Sequence, residues 1–282
     1  MLNIDLHCHS NVSDGVLPPA EVVRRAAAQG VQVLALTDHD DIAGLAEARE
    51  TAREGKIDLI NGVEISTSWG SHTLHVLGLN IDPAHTALQA GLENIRQGRA
   101  ERAIRIAAKL DELGIKDSLA GAYALASNKS LIGRMHFARF LVEYGYVKNL
   151  RTVFKKYLVK GKPGYVSHQW AALEDAIGWI RASGGVAVLA HPGRYQIGKM
   201  RMEELLTEFK DAGGEGVEVV TSSHTAEMTA NFAELSQRFG LLASRGSDFH
   251  GPGESMIELG RLPDLPEKCQ PVWHAWREAA AA

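Results

Sequence analysis

The sequence predicts an α/β protein whose strands form a closed or nearly closed barrel. Seven short runs of aliphatic and β-branched residues alternate with amphipathic helical patterns, which is typical of parallel βα units. The candidate parallel strands lie near residues 2–7, 32–37, 57–63, 73–79, 186–190, 216–220 and 241–246. A doubly wound open sheet is the alternative, but the sequence lacks the Gly-rich phosphate loop that marks a nucleotide site in such a sheet.

The elements can be justified in order along the chain. The first helix, PPAEVVRRAAAQG, has Pro18 and Pro19 where a first turn tolerates proline, and Gly30 just past its end. A second helical pattern, GLAEARETAREG, separates the next two strands. In the later part of the chain, helices in LEDAIGWIRASGG, MEELLTEFKDAGG and the segment that ends at Phe239 alternate with the strands in VAVLAHP, EGVEVVT and LLASRGSDFH.

The alternation stops after Asp82 and gives way to nearly continuous helical patterns, through NIRQGRAERAIRIAAKLDELG, SLIGRMHFARFLVEYG and LRTVFKKYL. The chain therefore divides into a first barrel part over 1–85, an inserted helical domain over 86–163 that we expect to bind substrate as a lid, and a second barrel part over 164–282. The insert is basic, because the stretch from Arg96 to Lys162 has 15 basic and 5 acidic residues in a chain of net charge −4. The remainder of the chain is acidic.

Composition excludes several classes of protein. The 45% hydrophobic and 23% charged fractions are those of an ordinary globular chain. No apolar run approaches the roughly 18 residues of a membrane span, and the first residues lack the features of a signal peptide. With only Cys8 and Cys269 present, no disulfide framework is expected, so we expect a cytoplasmic protein without a membrane partner.

Ionisable side chains follow the predicted strands where functional groups of α/β barrels gather, at the carboxyl ends. His75 is an exception, because it lies within its strand. The others are His7, His9, Asp38, His39, Glu64, His191, Asp248 and His250. Imidazole nitrogens and carboxylate oxygens are ligands for manganese, iron and zinc. Burying so many ionisable groups together without a cation would cost several kcal/mol per ion.

These segments, HCHSNVSDG, TDHD, GVEIS, HVLGL, AHP and GSDFH, resemble in order and spacing the motifs of the PHP (polymerase and histidinol phosphatase) family of metal-dependent phosphoesterases. The resemblance spans almost the whole chain outside the insert. It implies a distorted seven-stranded (β/α)7 barrel that holds two or three divalent ions, with manganese preferred and iron or zinc as alternatives. Asp38 and Asp40 flank His39 and are expected to orient its imidazole.

The resemblance also assigns ligands by position. One ion takes His7, His9, Glu64 and Asp248, and Glu64 bridges to a second ion held by His75 and His191. A third lies between Asp14, His39 and His250, and Asp14 stands where several family members have histidine. Clustered ions supply hydroxide at neutral pH and neutralise phosphate oxygens. The proton for the leaving oxygen is expected from Asp14, His39 or His191, and the sequence does not choose among them.

The insert indicates an anionic substrate. Arg96, Arg99, Arg102 and Arg105 recur every three residues and form a stripe along a helix, which by itself could equally be a solvated face. Further basic residues occur in IGRMHFAR and KKYLVKGKPGY. Since arginine grips phosphate bidentately, we expect a second substrate phosphate to be anchored there, with the candidate substrate-binding residues Arg99, Arg102, Arg134, His136 and Lys162.

This arrangement resembles the PHP subgroup that removes the 3′-phosphate from nucleoside 3′,5′-bisphosphates to leave a 5′-nucleotide, relatives of which trim short 5′-phosphorylated oligonucleotides 5′ to 3′. The expected partners are therefore a small nucleotide and short RNA oligonucleotides, with no obligate protein partner. Three alternatives stay open: a histidinol-phosphate phosphatase, a non-catalytic structural PHP module, and a C–N hydrolase of the amidohydrolase type. The basic insert disfavours the first and third, and the full ligand set disfavours the second.

Overall fold

The computed structural model describes residues 2–274 and 276, and its core is a sheet rolled into a barrel. The strands follow the chain as β1 (Ile4–Asp5), β2 (Val33–Leu36), β3 (Asp58–Trp69), β4 (His72–Leu79), β5 (Ala171–Ala172), β6 (Val186–Leu189), β7 (Gly216–Thr221) and β8 (Leu242–Gly246). Their order in the sheet is β1-β2-β3-β4-β6-β7-β8, and the short β5 pairs with β3. The seven predicted strands are thus all present.

Backbone hydrogen bonds join the two ends of this order. Leu6 N–H donates to Arg245 O over 3.0 Å, and Asp248 N–H donates to His7 O over 2.8 Å. Cys8 and Phe249 form a parallel bridge just beyond the ends of β1 and β8. The barrel is therefore closed by the segments that follow β1 and β8, which confirms the predicted fold class.

The prediction that all seven strands are parallel was wrong for β4. This strand runs antiparallel to both β3 and β6, with Ser66 opposite His75. The physical reason is the connection: β3 continues to Trp69, and the two residues Gly70 and Ser71 then turn the chain, which is enough for a hairpin but far too short for a crossover. Because β4 starts where its neighbours end, His75 lies at the same end of the barrel as the other candidate ligands.

Nine helices occur in the described part of the chain: α1 (Pro19–Ala28), α2 (Leu45–Gly55), α3 (Thr86–Glu112), α4 (Ser118–Ala124), α5 (Arg134–Glu143), α6 (Leu150–Val153), α7 (Leu173–Ala182), α8 (Lys199–Asp211) and α9 (Ala226–Phe239). Helices α1, α2, α7, α8 and α9 pack buried apolar faces on the barrel, in one cluster with the strands. None of the described helices combines the length and apolarity needed to cross a membrane.

Helices α3 to α6 and a π-helical turn over Phe154–Leu158 form the insert. They enclose an apolar cluster of their own, which includes Leu110, Phe137 and Leu141. The first turns of α3 instead join the barrel cluster through Leu88, Leu92 and Ile95. Helix α3 therefore ties the insert firmly to the barrel. Of the expected second barrel part, 164–282, residues 275 and 277–282 lie outside the described residues.

Candidate metal centre

The nine side chains expected to bind metal converge at one end of the barrel. They lie on β3 and β4 or in the loops after β1, β2, β6 and β8. All of them except His191 have donor atoms that belong to overlapping sets within 4.8 Å, and His191 joins them through Glu64. The cluster can be divided into three groups around Glu64 and Asp14. The members are His7, His9, Asp14, His39, Glu64, His75, His191, Asp248 and His250. The structure thus brings together every residue that the sequence predicted for this site.

The first group consists of His7, His9, Glu64 and Asp248. His7 Nε2 and His9 Nε2 lie 3.1 Å apart, and each is 3.3 Å from Glu64 Oε2. Asp248 Oδ1 lies 3.5 Å from His7 Nε2 and 3.3 Å from His9 Nε2. Donors around a tetrahedral ion with bonds of about 2.1 Å are about 3.4 Å apart. The four atoms therefore have the spacing of a preformed tetrahedral site.

The second group shares Glu64 with the first. Glu64 Oε1 lies 2.9 Å from His75 Nδ1 and 2.9 Å from His191 Nε2, and the two nitrogens are 3.3 Å apart. One oxygen of Glu64 thus faces the first group and the other faces the second. This is the arrangement of a carboxylate that can bridge two ions.

The third group surrounds Asp14 in the loop after β1. Asp14 Oδ1 lies 3.3 Å from His250 Nε2 and 3.9 Å from His39 Nε2. The imidazole of His9 stacks on that of His250, with ring centroids 4.2 Å apart, so the third group adjoins the first. The distance from Asp14 to His39 is longer than any of those given for the first two groups.

The donor set fits divalent cations. Glu64 Oε2 and Asp14 Oδ1 are buried and accept no hydrogen bond within the described residues, although buried carboxylate oxygens normally have partners. Burial opposes protonation of His9, but the close carboxylates of Asp248 and Glu64, each 3.3 Å from Nε2, outweigh it and raise the pKa of His9 to about 10. The site thus stabilises positive charge strongly, and its nitrogen and oxygen donors are those of transition-metal ions.

Glu218 on β7 is a residue that the sequence reasoning missed. Its carboxylate lies 3.0 Å from His7 Nδ1 and accepts the backbone N–H of His191 over 2.6 Å. With Nδ1 donating to Glu218, Nε2 of His7 presents its lone pair to the first group. A signal was available, because GVEVVT places one carboxylate inside an otherwise apolar strand, and the strand is entirely buried.

Arg194, also missed, contacts a candidate ligand directly. Its Nη1 donates to Asp248 Oδ2 over 2.6 Å, which leaves Oδ1 facing the imidazoles. Arg194 lies in the 3₁₀ turn Pro192–Arg194 directly after His191, and about half of its side-chain surface (51%) is open. It is therefore placed both to orient Asp248 and to contact a ligand in the cavity above.

Asp38 and Asp40 do not orient His39 as expected. Asp38 accepts hydrogen bonds from Ser10 Oγ (2.7 Å) and Ser13 Oγ (2.6 Å), and so ties the loop after β1 to the end of β2. Asp40 accepts from Ser66 N–H (2.7 Å) and pairs with the guanidinium of Arg99. Both carboxylates are thus held by other partners, and neither hydrogen-bonds the imidazole of His39 in the described part of the chain.

The backbone is strained at the site. His191 (φ 28°) and Asp248 (φ 54°) have positive φ values, which cost non-glycine residues on the order of 1–3 kcal/mol. Gly246 ends β8 so close to the site that a Cβ there would lie 2.2 Å from His7 Cβ and 2.9 Å from Glu218 Oε1. Only glycine fits this position, and the strain is located where ligands must be aimed.

A cavity of about 640 Å³ lies above the ligand groups, between the barrel and the insert. Among the candidate substrate-binding residues, Arg99, Arg102 and Arg134 line it. His136 and Lys162 do not: His136 Nδ1 instead accepts the N–H of Gly133 over 3.2 Å at the start of α5, and Lys162 is exposed. Lys160, a neighbour of Lys162, does line the cavity.

Two of these arginines have no acidic partner among the described residues. Arg99 pairs with Asp40, whereas Arg102 donates to Val166 O and Arg134 donates to Leu158 O. Burial and the positive charges of Arg134 and Arg99 lower the pKa of Arg102 to about 9. Burial likewise lowers the pKa of Arg134. Uncompensated cations in a cavity wall favour an anionic ligand.

A barrel with clustered histidine and carboxylate donors at its active end has the features of a metal-dependent hydrolase. A family model described as PHP domain matches residues 5–222, and the chain therefore belongs to the PHP family.

Relatives and a solved structure agree with this assignment. The chain is 55% identical to a 3′,5′-nucleoside bisphosphate phosphatase of Chromobacterium violaceum, over 97% of this chain and 96% of the relative. It is 45% identical to a 5′-3′ exoribonuclease of Haemophilus influenzae, over 95% and 97%. A structure from Bifidobacterium adolescentis, described as a metal-dependent phosphoesterase, superposes with a TM-score of 0.83 at 26% identity, covering 99% of this chain and 95% of that one.

Proposed function

We propose that the protein is a metal-dependent phosphatase that hydrolyses the 3′-phosphate of nucleoside 3′,5′-bisphosphates, such as adenosine 3′,5′-bisphosphate, to the 5′-nucleotide and phosphate. The observation that carries the proposal is one cavity with two places for phosphate: the ligand groups at its floor, and the unpaired Arg102 and Arg134 in its wall. The 55% identical bisphosphate phosphatase supports the same reaction. In this proposal the insert over 86–163 is the substrate-binding domain.

We further propose two or three divalent ions as cofactors, manganese by preference, with iron or zinc as alternatives that suit the same donors. His7, His9, Glu64 and Asp248 would hold one ion, Glu64, His75 and His191 a second, and Asp14, His39 and His250 a third. When bound, such ions supply hydroxide at neutral pH and neutralise the phosphate oxygens.

The side chains of the protein perform the remaining tasks. Glu218 fixes the imidazole of His7, and Arg194 holds Asp248 while its open side faces the 3′-phosphate. Arg102 and Arg134 bind the 5′-phosphate. Asp14, His39 and His191 lie beside the reacting phosphate and are the candidates that give a proton to the 3′-oxygen as it leaves.

We also propose trimming of short 5′-phosphorylated oligonucleotides from the 5′ end. The 45% identical exoribonuclease favours this second activity. The chemistry is unchanged, because in both reactions the bond from phosphorus to the 3′-oxygen breaks and the nucleotide in the cavity leaves with a free 3′-hydroxyl.

We also propose that the enzyme is cytoplasmic. Its two buried thiols, Cys8 and Cys269, are free, which fits a reducing compartment.

Two alternatives are weaker on the same observations. A histidinol-phosphate phosphatase would need a carboxylate for the substrate ammonium near the cavity wall where Arg102 and Arg134 lie. A non-catalytic module would be expected to lack ligands, yet the four donors of the first group keep tetrahedral spacing.

Phosphate release from adenosine 3′,5′-bisphosphate, histidinol phosphate and a 5′-phosphorylated dinucleotide, assayed with manganese, tests the proposal directly. We expect the bisphosphate to be the preferred monoester substrate. His9→Ala and Asp248→Ala should abolish turnover while the circular dichroism spectrum stays that of the parent. Full activity in either variant, or a preference for histidinol phosphate, would reject the proposal.

A further inference from the structure

The insert is held at the mouth of the cavity by specific contacts with the barrel loops. From α3, Arg96 donates to Asp40 O over 2.9 Å. From α5, Arg139 Nη2 donates to Asp14 O over 2.6 Å and pairs with Glu254 over 2.7 Å. These contacts hold the insert over the loop after β1, the end of β2 and the loop after β8.

Part of the cavity wall belongs to barrel segments alone. There the cavity is lined by the β3–β4 turn and by the segments that follow β6 and β7, through a group of residues that we call the open rim: Ser71, His72, Thr73, Gln196, Ser222 and Ser223. Across the described part of the chain, no hydrogen bond or ion pair joins the insert to the open rim. The part of a ligand that extends beyond one nucleotide can therefore leave the cavity across the open rim.

We infer that the open rim is a subsite for the nucleoside on the 3′ side of the scissile phosphate in an oligonucleotide. The inference rests on the proposed function, which places the 5′-phosphate at Arg102 and Arg134 and the 3′-phosphate over the ligand groups. The next nucleoside is attached to that second phosphate through its 5′-oxygen. It would then pass across the open rim.

The chemistry of the open rim suits a nucleoside better than a further phosphate. Its side chains are hydroxyl, amide and imidazole groups, which donate and accept hydrogen bonds to sugar hydroxyls and base edges. A phosphate would be met by lysine or arginine. Arg194, the charged residue nearest the rim along the chain, is paired with Asp248.

Two further observations agree with an uncharged organic ligand. Ser223 Oγ and His72 Nδ1 have no hydrogen-bond partner within the described residues, although both atoms are shielded from water. Met256, in the loop after β8, also lines the cavity with 81% of its surface exposed, so a flexible apolar side chain is available to the face of a base.

The test compares adenosine 3′,5′-bisphosphate with the 5′-phosphorylated dinucleotide pApA, which differs only by the added nucleoside. Ser222→Trp and Ser223→Trp fill the open rim, and Ser127→Trp, at an exposed serine of the insert outside the cavity lining, is the matched control. We expect kcat/KM for pApA to fall at least about tenfold in the rim variants, with the bisphosphate within about twofold of the parent. The control should change neither, and all variants should bind the same amount of manganese.

Gln196→Ala and Ser223→Ala test contact rather than space. Loss of one neutral hydrogen bond, about 0.5–1.5 kcal/mol, should raise KM for pApA roughly 2- to 12-fold and leave that of the bisphosphate unchanged. Equal losses on both substrates, or unaltered pApA turnover in the tryptophan variants, would overturn the inference. The inference would also be overturned if the tryptophan variants lost pApA turnover selectively while KM for pApA stayed unchanged in both alanine variants. The rim would then be an opening that makes no contact with the nucleoside.

The parent protein separates the two proposals. If it hydrolyses the bisphosphate but not pApA, the rim inference fails and the phosphatase proposal stands. If it hydrolyses neither with manganese, iron or zinc, the proposed function itself fails. Turnover of pApA without turnover of the bisphosphate would reject the phosphatase proposal alone.

Discussion

The carboxylate of Glu218 accepts a hydrogen bond from Nδ1 of His7 over 3.0 Å, at the buried heart of the barrel. The same carboxylate accepts the backbone N–H of His191 over 2.6 Å. Burial raises the pKa of Glu218, while the charge of His7 acts in the opposite direction. One residue of β7 that is not a candidate ligand thus fixes a ligand of the first group and another of the second.

Replacement of Glu218 by glutamine should therefore weaken metal binding at both groups. The two carboxylate oxygens of Glu218 accept one hydrogen bond each, from His7 Nδ1 and from the His191 N–H. In glutamine one of these oxygens is replaced by an NH2 group, which donates, so one of the two hydrogen bonds is lost. We expect manganese affinity or kcat to fall about 10- to 100-fold, the usual effect of removing such a partner. Metal titration and steady-state kinetics measure this, with Glu215→Gln, on the exposed side of β7's start, as control. Unchanged metal affinity and kcat would remove the assigned role.

Arg134→Ala should discriminate between substrates with and without a 5′-phosphate. A hydrogen bond to a charged group contributes about 1.5–3 kcal/mol, so kcat/KM for adenosine 3′,5′-bisphosphate should fall roughly 10- to 150-fold. Adenosine 3′-monophosphate, which lacks the anchored phosphate, should be affected much less. Arg105→Ala, at an exposed position on α3, serves as the control. Equal losses on both substrates would contradict the anchor.

The ring of Trp170 lies against the guanidinium groups of Arg99 and Arg102, so replacement of Trp170 should raise KM. The guanidinium carbons of Arg99 and Arg102 lie 5.0 Å and 5.2 Å from the centre of its ring, and its backbone N–H donates to Ser68 Oγ over 2.8 Å. Cation–π contacts contribute about 0.5–2 kcal/mol. Trp170→Leu should raise KM for the bisphosphate roughly 2- to 30-fold, leave kcat and metal content nearly unchanged, and be partly corrected in Trp170→Phe. A fall in kcat at constant KM would show a different role.

Strand ends of a barrel meet at one place, and this indicated seven of the nine candidate ligands. The other two, Asp14 and His75, were assigned through the resemblance to the PHP motifs. His75 illustrates the limit of that argument. The sequence placed it inside a parallel strand, whereas the structure reverses β4 and so brings His75 to the others. The reversal depends on the two-residue turn at Gly70 and Ser71, which is long enough for a hairpin and too short for a crossover.

Other features could not be predicted because they depend on tertiary contacts. Arg99 and Arg102 belong to the same stripe, yet the structure pairs one with Asp40 and leaves the other without an acidic partner among the described residues. The sequence predicts His136 as a substrate-binding residue because it lies two residues after Arg134. Its imidazole instead accepts a backbone hydrogen bond, and burial lowers its pKa to about 4. Spacing along a helix gives the face of a residue but not its partner.

Metal binding should release protons, because protons neutralise the site when no cation does. The close carboxylates of Asp248 and Glu64, acting against burial, raise the pKa of His9 to about 10 from an ordinary 6.5, so metal-free protein carries this proton at pH 8. A bound ion requires the neutral imidazole and must displace it. We expect at least one proton to be released per protein molecule at pH 8, and metal affinity to rise with pH.

The raised pKa of His9 also determines how the stability of the metal-free protein changes with pH. A group whose pKa is higher in the folded state stabilises it fully below the unfolded pKa and ceases to do so as pH rises through the folded pKa. The free energy of unfolding of the metal-free protein should therefore fall between pH 6.5 and about 10.

Calorimetric titration with manganese in HEPES and in Tris, which differ in ionisation enthalpy, counts the protons released on metal binding. His274→Gln, at an exposed histidine, should match the parent, His9→Gln should release fewer protons, and identical heats in the two buffers would refute the mechanism.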